Sequence, residues 1–173
     1  MPNTILRMAP TGPVGRVLAI TFAIAALMLG PMAARADDDD GAVRVMTQNM
    51  DEGTDFVELS AATTPAQFIA AVTTTYNNIL ATNPAERAAA MAREIAKQRP
   101  HLVALQEASV LRTGTGGPAT TVKSDLLQSL VDALAALGQH YAVIAIVPGL
   151  DAQAPSTLGF FVRLTTQIGR AHV

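Results

Sequence analysis

Two short stretches end in side chains that a strand does not need for its own stability. Residues 42–50 read AVRVMTQNM and turn polar at Gln48 and Asn49; residues 101–109 read HLVALQEAS, in which the apolar Leu102–Leu105 is followed by Gln106 and Glu107. Asp51 lies two residues beyond Asn49. An ionised carboxylate is costly to withdraw from water unless something positive pairs with it. A carboxylate beside a carboxamide makes a hard, oxygen-only donor set, which suits Mg²⁺, Mn²⁺ or Ca²⁺. By spacing alone the same pattern fits strands that have simply reached the surface. It becomes a site if the two strands are neighbours, because functional groups in layered α/β proteins gather at the carboxyl ends of strands.

The elements that must bring Asn49 and Glu107 together follow in order. Val43 and Val45 alternate with Arg44, which predicts a strand ending at Gln48 and Asn49. DEGTD (51–55) is then a loop, with Gly53 free to take a positive φ. Thr64-Pro65-Ala66-Gln67 starts a helix: Thr64 can cap, Pro65 suits the first helical position, and Gln67 can close a capping box. Phe68, Val72, Tyr76 and Ile79 follow as a helical stripe. The threonines at 73–75 and the Asn77-Asn78 pair are weak helix formers, so packing must hold this helix. Asn83-Pro84-Ala85-Glu86 repeats the start signal. Ala88, Met91, Ala92 and Ile95 form the apolar face, with Arg87, Arg93, Glu94 and Lys97 left to water. Pro100 ends the helix, and the strand to Glu107 begins at once. Strand, helix, strand is the skeleton of residues 43–107.

VRVMTQNMDEGTD followed by ERAAAMAREIAKQRPHLVALQEAS resembles the endonuclease/exonuclease/phosphatase superfamily, whose fold is that of deoxyribonuclease I. The shared features are an opening strand that ends in an N-x-D element, here Asn49-Met50-Asp51, and a strand of the form RPDLVALQE, here RPHLVALQE. The resemblance implies the N-terminal part of a four-layer α/β sandwich, with two mixed β-sheets packed together and helices outside. It implies that Glu107 ligates a catalytic divalent metal, that Asn49 orients the phosphate or the metal's shell, and that Asp51 is an auxiliary acid near the metal. His101 departs from the pattern, where an Asp is usual, and residues 54–82 form a long insertion. The match covers residues 43–109. Beyond them it rests on a helix, a strand and the VRL at 162–164. The family's later motifs, a D-x-N pair, another Asp and a terminal His, do not follow. His101 and His140 read as surface residues, and His172 lies in a tail.

The remaining chain is read more simply. RTGTGGPATT (112–121) is a flexible loop; it has neither dinucleotide-fingerprint nor P-loop spacing. Ser124 caps a helix over DLLQSLVDALAAL, and Gly138 stops it. YAVIAIV (141–147) is mostly apolar and reads as a central strand. PGLDAQAPS (148–156) is a loop, and LGFFVRLTT (158–166) a fourth strand. The closing IGRAHV (168–173) breaks that pattern and resembles translated sequencing adapter. The expectation is a truncated reading frame with a partial domain over 43–167, and a stop codon natural to the locus directly after Val173 contradicts it.

Composition bounds the rest. The chain has 173 residues, a net charge of −2 and no cysteine, which suits one globular unit without disulfides or thiolate metal sites. Arg7 and Arg16, the apolar run 17–30, Pro31 and the AARA before Asp37 are laid out as a secretory signal peptide, cut after Ala36. The apolar run is short for a membrane span, which needs about 20 residues. Cleavage leaves nine basic against fourteen acidic residues, a net charge of −5. Asp37–Asp40 then begins an acidic, solvated linker to residue 42. The expected protein is secreted or periplasmic: a divalent-metal-dependent phosphoester hydrolase, inactive as this fragment. Its substrate could be nucleic acid, phospholipid or inositol phosphate. The rival is a non-catalytic exported binding module on the same fold. A partial sandwich leaves sheet edges uncovered, so poor solubility is expected. N-terminal sequencing of the exported chain should begin at Asp37; a mature chain starting at Met1 contradicts the signal reading.

Overall fold

The computed structural model describes residues 42–172. The stretch expected to be an export signal and nearly all of the expected acidic linker lie outside them. The described chain is mixed α/β, with one six-stranded mixed sheet and four helices.

Strand β1 (Val45–Asn49) and strand β2 (Leu102–Gln106) are adjacent and parallel, with Val45 opposite Leu102 and Asn49 opposite Gln106. Parallel neighbours need a long crossover, and three helices supply it: α1 (Val57–Ala61), α2 (Pro65–Ala81) and α3 (Pro84–Gln98). Helix α2 starts as its sequence dictates. Thr64 Oγ1 accepts from the Gln67 N–H at 3.3 Å, and Gln67 Oε1 accepts from the Thr64 N–H at 3.1 Å. Helix α3 starts differently from the expected cap. Asn83 has φ 50° and makes no side-chain cap; its Nδ2 donates to Glu86 Oε2 at 2.7 Å instead.

The second half of the sheet departs from the sequence reading in three places. Residues 112–121, expected as a loop, contribute to a hairpin of β3 (Val110–Gly114) and β4 (Thr121–Asp125). Its local apolar signal is too short to read, and pairing with a distant strand holds it: Val110 lies opposite Thr165 and Gly114 opposite Phe161. Helix α4 (Leu126–Ala136) is capped by Asp125, whose carboxylate accepts from the Gln128 N–H at 2.9 Å; Ser124 belongs to β4. Strand β5 (Ala142–Pro155) runs through the expected loop at 148–155, and it is an edge strand rather than a central one. Ile144, Ile146 and Val147 in its apolar run are exposed, and among the described strands it pairs with β6 alone.

The central strand is β6 (Phe161–His172), which continues past Thr166 to the end of the described chain. One edge of β6 pairs with β5 along its whole length. The other edge takes β3 over residues 161–165 and β2 over residues 169–172.

Two cores lie on the sheet. One joins Ala88, Ala92 and Ile95 of α3 to Leu127, Leu130 and Leu134 of α4, over Val103, Leu105 and Ala171. The other joins Val72, Tyr76 and Ile79 of α2 to Leu111, Val162 and Leu164. Alternation along β6 puts Val162 and Leu164 on one face and Ala171 on the other, so helices cover both faces. Ile95 is fully buried between α3, α4 and β2. Ile95→Ala should cost about 2–5 kcal/mol of stability, read as a lower denaturation midpoint with an unchanged slope.

Candidate functional site

Leu105 lies opposite Gly169, and Val110 opposite Thr165. Five steps on the β2–β3 side therefore face four steps on β6. Between them the Ala108 N–H donates to the Gln167 carbonyl at 3.0 Å. β2 and β3 are thus one interrupted strand along β6, and the extra residue falls at Glu107. Its φ of 54° is left-handed, as a bulge that re-aims a side chain requires. The acid does not mark a strand that has run out at the surface. A bulge turns it out of the ladder.

β1 aims Asn49 at the same point. Asn49 Nδ2 donates to Glu107 Oε1 at 2.7 Å. The Glu52 backbone N–H donates to Glu107 Oε2 at 3.2 Å. Both carboxylate oxygens are therefore oriented by N–H groups from the β1 end.

The loop after β1 is wound from consecutive side-chain turns. Asn49 Oδ1 accepts from the Asp51 N–H at 2.8 Å, and Asp51 Oδ1 accepts from the Gly53 N–H at 2.8 Å. Such turns suit Asn and Asp, whose short side chains reach the backbone two residues on. Gly53 has φ +85°, and a Cβ there would sit 2.8 Å from Thr82 Oγ1 and 3.3 Å from Ile79 Cα. Only glycine lets this loop press on the end of α2.

The sequence reading places Asn49 and Glu107 together, and the structure brings them into contact. Asp51 is placed differently from a partner of Glu107. Its carboxylate faces Gly53 and, at 3.6 Å, Arg87 Nη1. Arg87, expected in water, is half-buried. It donates to the carbonyls of Met50 at 3.1 Å and Asp51 at 2.8 Å, so α3 clamps the loop. Among the described residues, no group of three or more His, Cys, Asp or Glu side chains is arranged to hold a metal. His101 is exposed, and its Nδ1 accepts from the Arg44 N–H at 2.9 Å, holding β1 to the start of β2.

Glu52 was missed. In DEGTD it reads as one more loop charge, yet it is 7% exposed and its Oε2 has no hydrogen-bond partner. Burial, then the charges of Glu107 and Asp51, push its carboxyl up from 4.5 to about 7. A carboxyl poised there can hold or release a proton near neutral pH. The only available sequence signal was its place beside two turn-forming residues and a glycine.

No protein-family model matches the chain, and neither a curated protein nor a solved structure does.

The raised pKa of Glu52 has a definite sign for stability. Below pH 4.5 the acid is protonated both folded and unfolded. Between 4.5 and 7 the folded chain keeps a proton that the unfolded chain loses, so stability falls as pH rises. Glu52→Gln removes this penalty. The melting temperature of the variant should exceed that of the wild type by a gap that opens across this window and levels off above it. A gap independent of pH contradicts the assignment.

Proposed function

We propose that the chain is the N-terminal part of a divalent-metal-dependent phosphoester hydrolase of the endonuclease/exonuclease/phosphatase type, within a four-layer sandwich. The 2.7 Å hydrogen bond between Asn49 and Glu107 carries this reading. Two strands 58 residues apart in sequence deliver a carboxamide and a carboxylate to one point, and the carboxylate comes from a bulge rather than a frayed end. The motif resemblance at residues 43–109 points to the same pair.

The donors fit Mg²⁺. That ion keeps several waters and is held by one or two carboxylates together with substrate phosphates. Glu107 is the oriented carboxylate, and the buried, unpartnered Glu52 Oε2 is a second oxygen beside it. Asp51 is an auxiliary acid whose own bonds hold the loop. Mn²⁺ or Ca²⁺ would meet the same oxygen set. Bound there, the ion supplies Lewis-acid stabilisation of charge developing on a phosphoryl oxygen. Asn49 has a second Nδ2 hydrogen to offer a phosphate oxygen while the first fixes Glu107. Its Oδ1 bond to the Asp51 N–H fixes which way the amide points. Arg87 holds the loop carbonyls and so keeps the site's shape.

The non-catalytic binding module is the second reading, favoured by the lack of a three-residue metal cluster among the described residues. Hydrolysis of bis(p-nitrophenyl) phosphate by the protein, in the reading frame its locus encodes, separates the two. The rate should depend on Mg²⁺ and fall roughly 100-fold or more in Glu107→Gln, the scale of losing one group that stabilises transition-state charge. Full activity in that variant overturns the assignment, and no Mg²⁺-dependent rate in the wild type leaves the binding module.

A further inference from the structure

Helix α2 does not close fully onto the sheet. A cavity of about 240 Å³ lies between them, walled by Phe56, Val72, Ile79, Leu111, Val162 and Leu164. Phe68 and Leu150, 41% and 56% exposed, also line it and stand where it meets solvent. No charged side chain is among its lining residues. Gln153 also reaches it, but both ends of its amide are engaged: Oε1 accepts from the Ala119 N–H at 2.7 Å, and Nε2 donates to the Gly117 carbonyl at 3.1 Å.

One polar group is left over. Thr75 lines the cavity at 6% exposure, and its Oγ1 has no hydrogen-bond partner. Its two neighbours behave differently. Thr73 Oγ1 donates to the Ile69 carbonyl at 3.2 Å and Thr74 Oγ1 to the Ala70 carbonyl at 3.3 Å, the usual outlet for a helical threonine. A buried hydroxyl without a partner carries a desolvation cost that a ligand group could relieve.

We propose that this cavity is a binding site for a neutral, medium-length alkyl chain bearing one hydrogen-bonding group, a primary alcohol being the simplest case, with Thr75 as its polar anchor. Size supports this. A dry apolar cavity of about 150 Å³ takes benzene, so this one takes on the order of ten heavy atoms. The walls require an apolar body, and an ionised head group would be left unpaired among them. A hydroxyl can donate and accept, so Thr75 serves an alcohol in either sense. The site shares no side chain with Asn49, Asp51, Glu52 or Glu107.

The probe is 1-octanol, with octanoate at pH well above its pKa as the charged control. Titration calorimetry and thermal shift on the full chain should show saturable binding of 1-octanol and none of octanoate. Thr75→Val keeps the shape and removes the hydroxyl; affinity should fall about tenfold, the worth of one hydrogen bond. Leu150→Glu acts at the exposed mouth, where folding is not at stake, and should abolish binding while leaving the ligand-free melting temperature within a few degrees. Absent or non-saturable octanol binding, equal binding of octanoate, or unchanged affinity in both variants overturns the proposal. So does a dimer in sedimentation that Leu150→Glu dissolves, which would assign this face to a second copy of the chain.

Discussion

Strand β6 forms hydrogen bonds along both of its edges, and the rest of the sheet depends on it. β5 takes one edge. β2 and β3 share the other, end to end. β1 reaches the sheet only through β2, and β4 only through β3. Because twelve residues of β6 must serve two shorter partners in series, the join between them has to be irregular. The bulge at Glu107 is that join. Packing reinforces it: Gly169 of β6 approaches Leu105 and the Leu127 side chain, where a Cβ would lie 3.5 Å from Leu127 Cδ1. The position of the candidate acid is therefore a property of the strand spine, not of a local turn.

The loop facing it stores strain of the same kind. Asp51 and Glu107 both have positive φ without being glycine. Each such residue costs roughly 1–2 kcal/mol. Backbone strain of this sort persists where the surroundings overdetermine it, and it clusters at functional sites. Here the surroundings are identifiable: the Arg87 guanidinium on two loop carbonyls, two side-chain turns in succession, and the Gln106 carbonyl accepting from the Met50 N–H at 2.9 Å.

What was legible in the sequence was mostly local. The capping box at Thr64 and the apolar face of α3 follow from short-range patterns; the adjacency of the two polar-ended strands entered only as a supposition beside the motif resemblance, and it is the structure that brings Asn49 to Glu107. Long-range pairing hid the rest. Arg112 and Thr113 carry no strand signal strong enough to outweigh the glycines after them, and β6 makes them a strand. The apolar run 141–147 suggested burial on both faces, but its position at the sheet edge depends on which strand β6 leaves unpaired. Residues 168–172 looked foreign to the strand before them, yet 169–172 pair with β2, and Ala171 is 4% exposed. Arg87 was left to water because it lies off the apolar face of its helix, and Glu52 was passed over as part of a loop. Only the path of the loop over α3 shows that one is a clamp and the other a buried acid.

The long outer strand has a consequence for association. Among the described strands β5, fourteen residues long, pairs with β6 alone, and it carries exposed Ile144, Ile146, Val147 and Leu150. An uninterrupted edge of that kind would recruit further strands. This one is broken into paired runs of two, four and five residues by register shifts at Val143/Ala145 and Pro148/Asp151. Segments that stack into fibrils are about six or seven residues long, so each run falls short. Pro148 lacks an N–H to offer, and the Asp151 carboxylate, bridged to Arg163 at 2.7 Å, sets a charge at the second break. The apolar surface can still make molecules adhere through their side chains. The phasing of the backbone works against growth into an ordered ladder, so self-association at this edge would be amorphous rather than fibrillar.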